Sequence, residues 1–131
     1  MKGFGEQDKS KKKVNQKIKP SKKQIINQAI KYHSQGNISE AVKYYEYLIN
    51  QGLKDYRIFL NYGAILQGLD KLKDAEISTR KAIEIKPDYA EAHLNLGNIL
   101  KNLGKLKDAK LSYYKAIAIK PDLTNAFFSL S

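Results

Sequence analysis

Residues 56–89 read YRIFLNYGAILQGLDKLKDAEISTRKAIEIKPDY, and residues 90–123 read AEAHLNLGNILKNLGKLKDAKLSYYKAIAIKPDL. The two stretches abut, share a 34-residue length and agree at more than half of their positions. K-L-K-D-A recurs at 71–75 and 105–109, and K-A-I-x-I-K-P-D recurs at 81–88 and 115–122. A fixed period of this length marks a stack of like units, each burying its apolar face on its neighbours.

One period back, residues 22–55 fall into register as a more divergent copy. Ala29 then aligns with Gly63 and Gly97, Gly36 with Asp70 and Gly104, and Ala41 with Ala75 and Ala109. Apolar residues at helical spacing predict a helical hairpin in each copy: 22–35 with 38–51, 56–68 with 72–85, and 90–103 with 106–119. Ser21-x-x-Gln24 is a capping box for the first helix, and Asn37-x-x-Glu40 opens the second. Asp88, three before Glu91, is expected to cap the third hairpin. Gly52 suits the left-handed turn after a helix. Pro87 and Pro121 end the second helices, because proline donates no N–H and pushes the preceding lysine out of the helical region. Gly63 and Gly97 lie inside first helices, where glycine costs ~1 kcal/mol against alanine. The return expected for that cost is close approach of the partner helix, with Ala41, Ala75 and Ala109 at the crossings.

This pattern resembles the tetratricopeptide repeat family. Leu96-Gly97, Leu100, Gly104, Ala109, Tyr113, Ala116 and Pro121 stand at that family's signature positions in copy 90–123. Copy 56–89 matches at Phe59, Gly63, Leu66, Ala75, Ala82 and Pro87, and departs at Asp70, where glycine is usual. The resemblance implies an all-α fold, a right-handed superhelical stack of three hairpins (22–55, 56–89, 90–123) with a truncated fourth copy at 124–131. Phe127, Phe128 and Leu130 would then stand near an open end; either this turn folds back onto helix 106–119 or, as favoured here, the chain is a piece of a longer, bacterial array.

Composition narrows the chemistry. Cysteine is absent, which excludes disulfide frameworks, thiolate metal sites and thiol catalysis. No apolar run approaches the ~18 residues of a membrane span. A reducing, cytoplasmic setting is expected. The net charge is +11, and residues 1–23 hold nine lysines against only Glu6 and Asp8. Residues 1–20 bury too little to offset their ordering and are expected to be a disordered leader. It either solubilises the chain or tethers it electrostatically to RNA, acidic protein or anionic lipid. Without interleaved aromatics or arginines, base-specific readout is not expected.

No catalytic constellation is legible. His33 and His93 are 60 residues apart at non-equivalent positions, and no H-x-x-x-H, G-x-S-x-G or phosphate-cradling glycine loop occurs. Asp74 and Asp108 recur with the period and read as first-turn acids. No cofactor, metal or catalytic residue is therefore expected. Binding is the better prospect. The resemblance implies a groove lined by first helices, and there Asn27, Asn61 and Asn95 recur at one repeat position. Amides carry both donors and an acceptor, so a row of them can hold a peptide backbone. The row is similar to the asparagine ladder of O-linked N-acetylglucosamine transferase repeats; the alternative is a family-wide helix preference without a ligand. Arg57, Asn98 and Lys101, with Lys23 and Asn102, are candidates to tune the groove. The two-carboxylate clamp of chaperone-binding relatives fits poorly, because its positions hold Ile26, Ile30, Glu91 and Asn95, and Asn61 alone matches. Tyr44, Tyr45, Tyr47, Tyr113 and Tyr114 lie on second helices and are expected to pack with their hydroxyls at a wet rim. The expected function is a scaffold that binds a protein or peptide. The alternative is the substrate-recruiting arm of a larger glycosyltransferase or sulfotransferase, and a basic binder of RNA or membrane surfaces is a third reading.

Overall fold

The structure, a computed structural model, describes residues 20–123. The leader and the partial fourth copy, with Phe127, Phe128 and Leu130, lie outside the described residues. Six helices run in chain order: α1 (Lys22–Ser34), α2 (Ile38–Asn50), α3 (Tyr56–Gly68), α4 (Leu72–Ile85), α5 (Ala90–Asn102) and α6 (Leu106–Ile119). No strand occurs among the described residues. The predicted bounds hold to within one residue. The described chain divides into two compact units at the Tyr44–Tyr45 bond, inside α2.

In the first unit, the Ser21 hydroxyl accepts from Gln24 N–H at 3.2 Å, and the Gln24 side chain accepts from Ser21 N–H at 2.8 Å. The capping box read from sequence is therefore closed. α1 stops where Gly36 takes a φ of 77°. Tyr32 and Tyr44 stack face to face, with ring centroids 5.5 Å apart. Ile26, Ala29 and Ala41 are buried.

The second unit holds the two clear copies. α3 packs on α4, α5 on α6, and α4 on α5, while the first helices α3 and α5 also touch. Pro87 and Pro121 act as predicted: Lys86 and Lys120 sit at φ near −135°, outside the helical region. Asp74 and Asp108 occupy first turns, where a negative charge favours the helix dipole. Gly52 and Gly104 are left-handed, and so is Asp70, at φ 61°, which fills a place its sister copy gives to glycine.

One expectation is corrected. Asp88 does not cap α5: the N-cap is Tyr89, with no side-chain hydrogen bond. The turn after Pro87 places Asp88 one residue too early for its carboxylate to reach the first free N–H groups. The close approach expected at the glycines is present, with a second residue beside the alanine. A Cβ on Gly63 would lie 2.5 Å from Thr79 Oγ1, and one on Gly97 would lie 2.5 Å from the Tyr113 ring. Ala75 stands at the same crossing, its carbonyl oxygen 3.4 Å from such a Cβ. Its side chain joins a cluster with Leu66 and Ile99, so it serves the joint to the next hairpin. The sequence reading also missed the cap of α3. Asp55 accepts from Arg57 N–H at 2.9 Å.

Candidate peptide-binding face

The candidate side chains begin with α3 and α5, because these first helices touch. Asn61 and Asn95 are both half-buried, one residue beyond the buried Leu60 and Leu94. Asn95 and Asn98 are three apart and share a helix face, and Lys101 follows in the last turn, exposed. Asn27 is exposed on α1, in the other unit.

Two of the tuning residues are already engaged. Asp55 receives Arg57 through both carboxylate oxygens, Nε at 3.1 Å and Nη2 at 2.9 Å. The hydrogen bonds from Arg57 hold the Asp55 carboxyl below its ordinary range, and burial only partly opposes them. Arg57 thus presents its remaining N–H groups from a fixed fork. Tyr113 donates its hydroxyl to Asn98 Oδ1 at 2.7 Å. The Asn98 carbonyl is occupied, and its NH2 remains to donate. Tyr113 is buried and its hydroxyl is satisfied inside the hairpin, whereas the sequence reading had placed it at a wet rim.

The opposite side carries features that the sequence reading did not anticipate. Two clefts lie between second helices, with a first helix as their floor. One, of about 300 Å³, is lined by Phe59, Tyr62 and Leu66 of α3, Ile77 and Lys81 of α4, and Ile49 of α2. The other, of about 230 Å³, lies between α4 and α6 over His93 and Leu96 of α5. Glu76 ties successive hairpins, binding Arg80 at 2.9 Å and Lys105 at 3.1 Å. Burial opposes the charge on Glu76, but the bonds from Arg80 and Lys105 outweigh it and hold the carboxyl below its usual value. Tyr62 donates to Glu46 at 3.1 Å, and Ser78 donates to the Phe59 carbonyl at 2.7 Å. The period hid these links, because Glu76 aligns with Lys110 and Tyr62 with Leu96.

The histidines act as structural side chains. His93 is buried, with Nε2 2.8 Å from the Pro87 carbonyl. His33 is half-buried, and burial lowers its pKa. Among the described residues, no three His, Asp or Glu side chains converge as a metal site. No helix there is long and apolar enough to cross a membrane.

Paired helices with a small residue at each crossing and a proline stop define a helical-hairpin repeat protein. Models of the tetratricopeptide repeat match residues 56–89 and 90–123, and the chain belongs to that family. No curated protein matches the chain at a significant level. Solved structures do. The first tetratricopeptide domain of Spaghetti, bound to the HSP90 peptide SRMEEVD, has a TM-score of 0.78 at 23% identity, over 83% of this chain and 86% of that one. MamA has a TM-score of 0.81 at 22% identity, over 91% of this chain and 70% of that one. A mutant O-GlcNAc transferase of Thermobaculum terrenum has a TM-score of 0.77 at 20% identity, over 83% of this chain and 21% of that one. At these identities the likeness is one of fold.

Proposed function

We propose that this chain is a non-catalytic, cytoplasmic interaction module that holds an extended peptide along the side lined by its first helices. The observation that carries the reading is the pair Asn61 and Asn95, half-buried at one repeat position on two touching first helices. An extended backbone presents N–H and C=O groups in alternation, and an amide side chain answers both. Asn27 supplies the third member by the period, in a repeat domain taken to span residues 22–131. Arg57, Asn98 and Lys101 flank the row: Asn98 as a donor, Arg57 as an oriented fork and Lys101 as an exposed charge. Contacts to the backbone leave side-chain choice to the flanking residues.

A chaperone tail of the kind seen with the Spaghetti domain is a poorer ligand. Ile26 and Ile30 bring no polar group to the clamp positions, and Glu91 would repel a carboxylate. Likeness to the transferase concerns fold, so the recruiting-arm reading rests on sequence resemblance; reading the encoding locus beyond Ser131 for a transferase domain tests it.

The module is tested by changing Asn27, Asn61 and Asn95 together to alanine. Three hydrogen bonds at about 1 kcal/mol each would weaken capture of a peptide partner by roughly 150-fold, with helicity unchanged. Equal recovery of partners by wild type and triple variant would remove the asparagine row.

A further inference from the structure

The second helices of the Tyr45–Leu123 unit carry one outward pattern twice. α4 reads Lys73-x-x-x-Ile77-x-x-x-Lys81, and α6 reads Lys107-x-x-x-Leu111-x-x-x-Lys115. Spacing of four puts each trio on a single helix face. All six residues are exposed, Ile77 to 58% and Leu111 to 59%. A bulky aliphatic side chain held in water between two cations, at the same place in both copies, contributes little to the core. Arg80 and Lys105 are both engaged by the single carboxylate of Glu76. Lys73, Lys107 and Lys115 form no ion pair among the described residues, and Lys81 lies 5.6 Å above the Phe59 ring.

The two clefts run beside these stripes and are also related by the period. Ile49, Phe59 and Ser78 of the first correspond to Ile83, His93 and Ser112 of the second, and Lys81 corresponds to Lys115. Each cleft thus pairs an apolar wall with a lysine at its edge. Carboxylates are present but singly: Asp74 at the first cleft and Glu84 at the second.

We propose that this second-helix side is a docking surface for an acidic peptide segment bearing two bulky apolar anchors. One anchor enters the cleft walled by Phe59, Leu66 and Ile77. The other enters the cleft walled by Ile83 and Leu96. Flanking carboxylates of the segment meet Lys81 and Lys115, while Lys73 and Lys107 extend the complementary charge along each helix. Asp74 and Glu84 remain to accept backbone N–H groups from the segment. Charge complementarity selects the acidic partner, and the clefts select a peptide over a lipid surface. A bilayer would meet Ile77 and Leu111 but leave two side-chain-sized recesses unfilled.

The test uses the full chain and three fluorescein-labelled poly-glutamate peptides, each with two phenylalanines separated by two, three or four residues. Fluorescence anisotropy is expected to detect binding of at least one peptide. Binding should weaken at least tenfold in the Ile77→Ser/Leu111→Ser variant, and likewise in Lys81→Glu/Lys115→Glu. It should also weaken for the peptide whose phenylalanines are replaced by alanine. Lys22→Glu/Lys31→Glu, which reverses two exposed cations on α1, should bind as wild type does, which separates this surface from general attraction to a basic chain. These positions are exposed, and circular dichroism checks that each variant keeps its helices. Absence of binding by all three peptides overturns the proposal. So does binding that the exposed-face variants leave unchanged, which would place it on other lysines. Co-sedimentation with phosphatidylserine vesicles, lost in Ile77→Ser/Leu111→Ser while the peptides fail to bind, would assign the face to membranes and equally overturn it.

Discussion

Gly63→Ala should change the sign of its effect when Thr79 is also changed. In the wild-type background the new Cβ would sit 2.5 Å from Thr79 Oγ1, closer than such atoms approach. Thr79 is fully buried and β-branched, with few rotamers open to it in a helix. Relief therefore requires α3 and α4 to move apart, and overpacking of this kind costs about 1–3 kcal/mol. Alanine returns ~1 kcal/mol of helix propensity, so the net loss should be roughly 1 kcal/mol. In a Thr79→Ala background the nearest atoms are the Ala75 oxygen and the residue 79 nitrogen, both 3.4 Å away. The crowding disappears and the propensity gain of ~1 kcal/mol is left. The cycle should thus show a coupling of about 2 kcal/mol. Thr79→Ala alone should be mild, since the hydroxyl it removes is buried without a hydrogen-bond partner. Gly68→Ala is the control: nothing lies within 4 Å of its added Cβ, so it should stabilise. Guanidinium unfolding followed by far-UV circular dichroism reads all five proteins. Additivity of the two changes within ~0.5 kcal/mol would refute the account, and so would Gly63→Ala that stabilises as Gly68→Ala does.

Three further outcomes are expected. Asp70→Gly should stabilise by about 0.5–1 kcal/mol, because a left-handed residue with a Cβ is relieved by more than glycine's chain entropy costs; a lower melting temperature would count against it. Stability should fall as pH drops from 7 to 3 in two stages, read by the same unfolding assay. The lowered His33 pKa makes the unfolded chain take up a proton first, near pH ~6.5, and the lowered Asp55 and Glu76 pKa values act below pH ~4. Each of these contributions is present above the unfolded pKa, so a maximum at acid pH would contradict all three. Tyr113→Phe should cost about 1 kcal/mol by freeing Asn98, and a neutral result by thermal melting would show that the 2.7 Å bond exchanges freely with water.

The period alone located all six helices, because proline stops, glycine turns and apolar spacing are local properties of a chain. Its failures also have local causes. Asp88 looked like a cap because the motif counts residues, while the turn after Pro87 decides where helical geometry begins. The alanines were legible as crossing residues because they are small and invariant between copies, and Ala75 does approach Gly63. Small size is also what the next hairpin requires, and Ala75 answers that need beside Leu66 and Ile99. The Asn61 and Asn95 positions were legible because they repeat. The Arg57–Asp55 fork, the Tyr113–Asn98 bond and the Glu76 bridge occur once each, so comparison of copies could not reveal them.

Departures between copies are most informative where two residues change together. Opposite Gly63 stands Thr79, and opposite Gly97 stands Tyr113. Ala64 follows Gly63, and Asn98 follows Gly97. In the second hairpin the small pair leaves a buried hydroxyl unpaired. In the third, the ring fills the space over Gly97, and its hydroxyl extends to the amide of Asn98. The same backbone crossing thus accepts two side-chain solutions, and only the larger one links the core to the first-helix face. Tyr113 fixes which end of the Asn98 amide is turned outward. A residue buried against α5 therefore helps set the hydrogen-bonding character of the face proposed to bind peptide, and Thr79 has no means of doing so for Ala64.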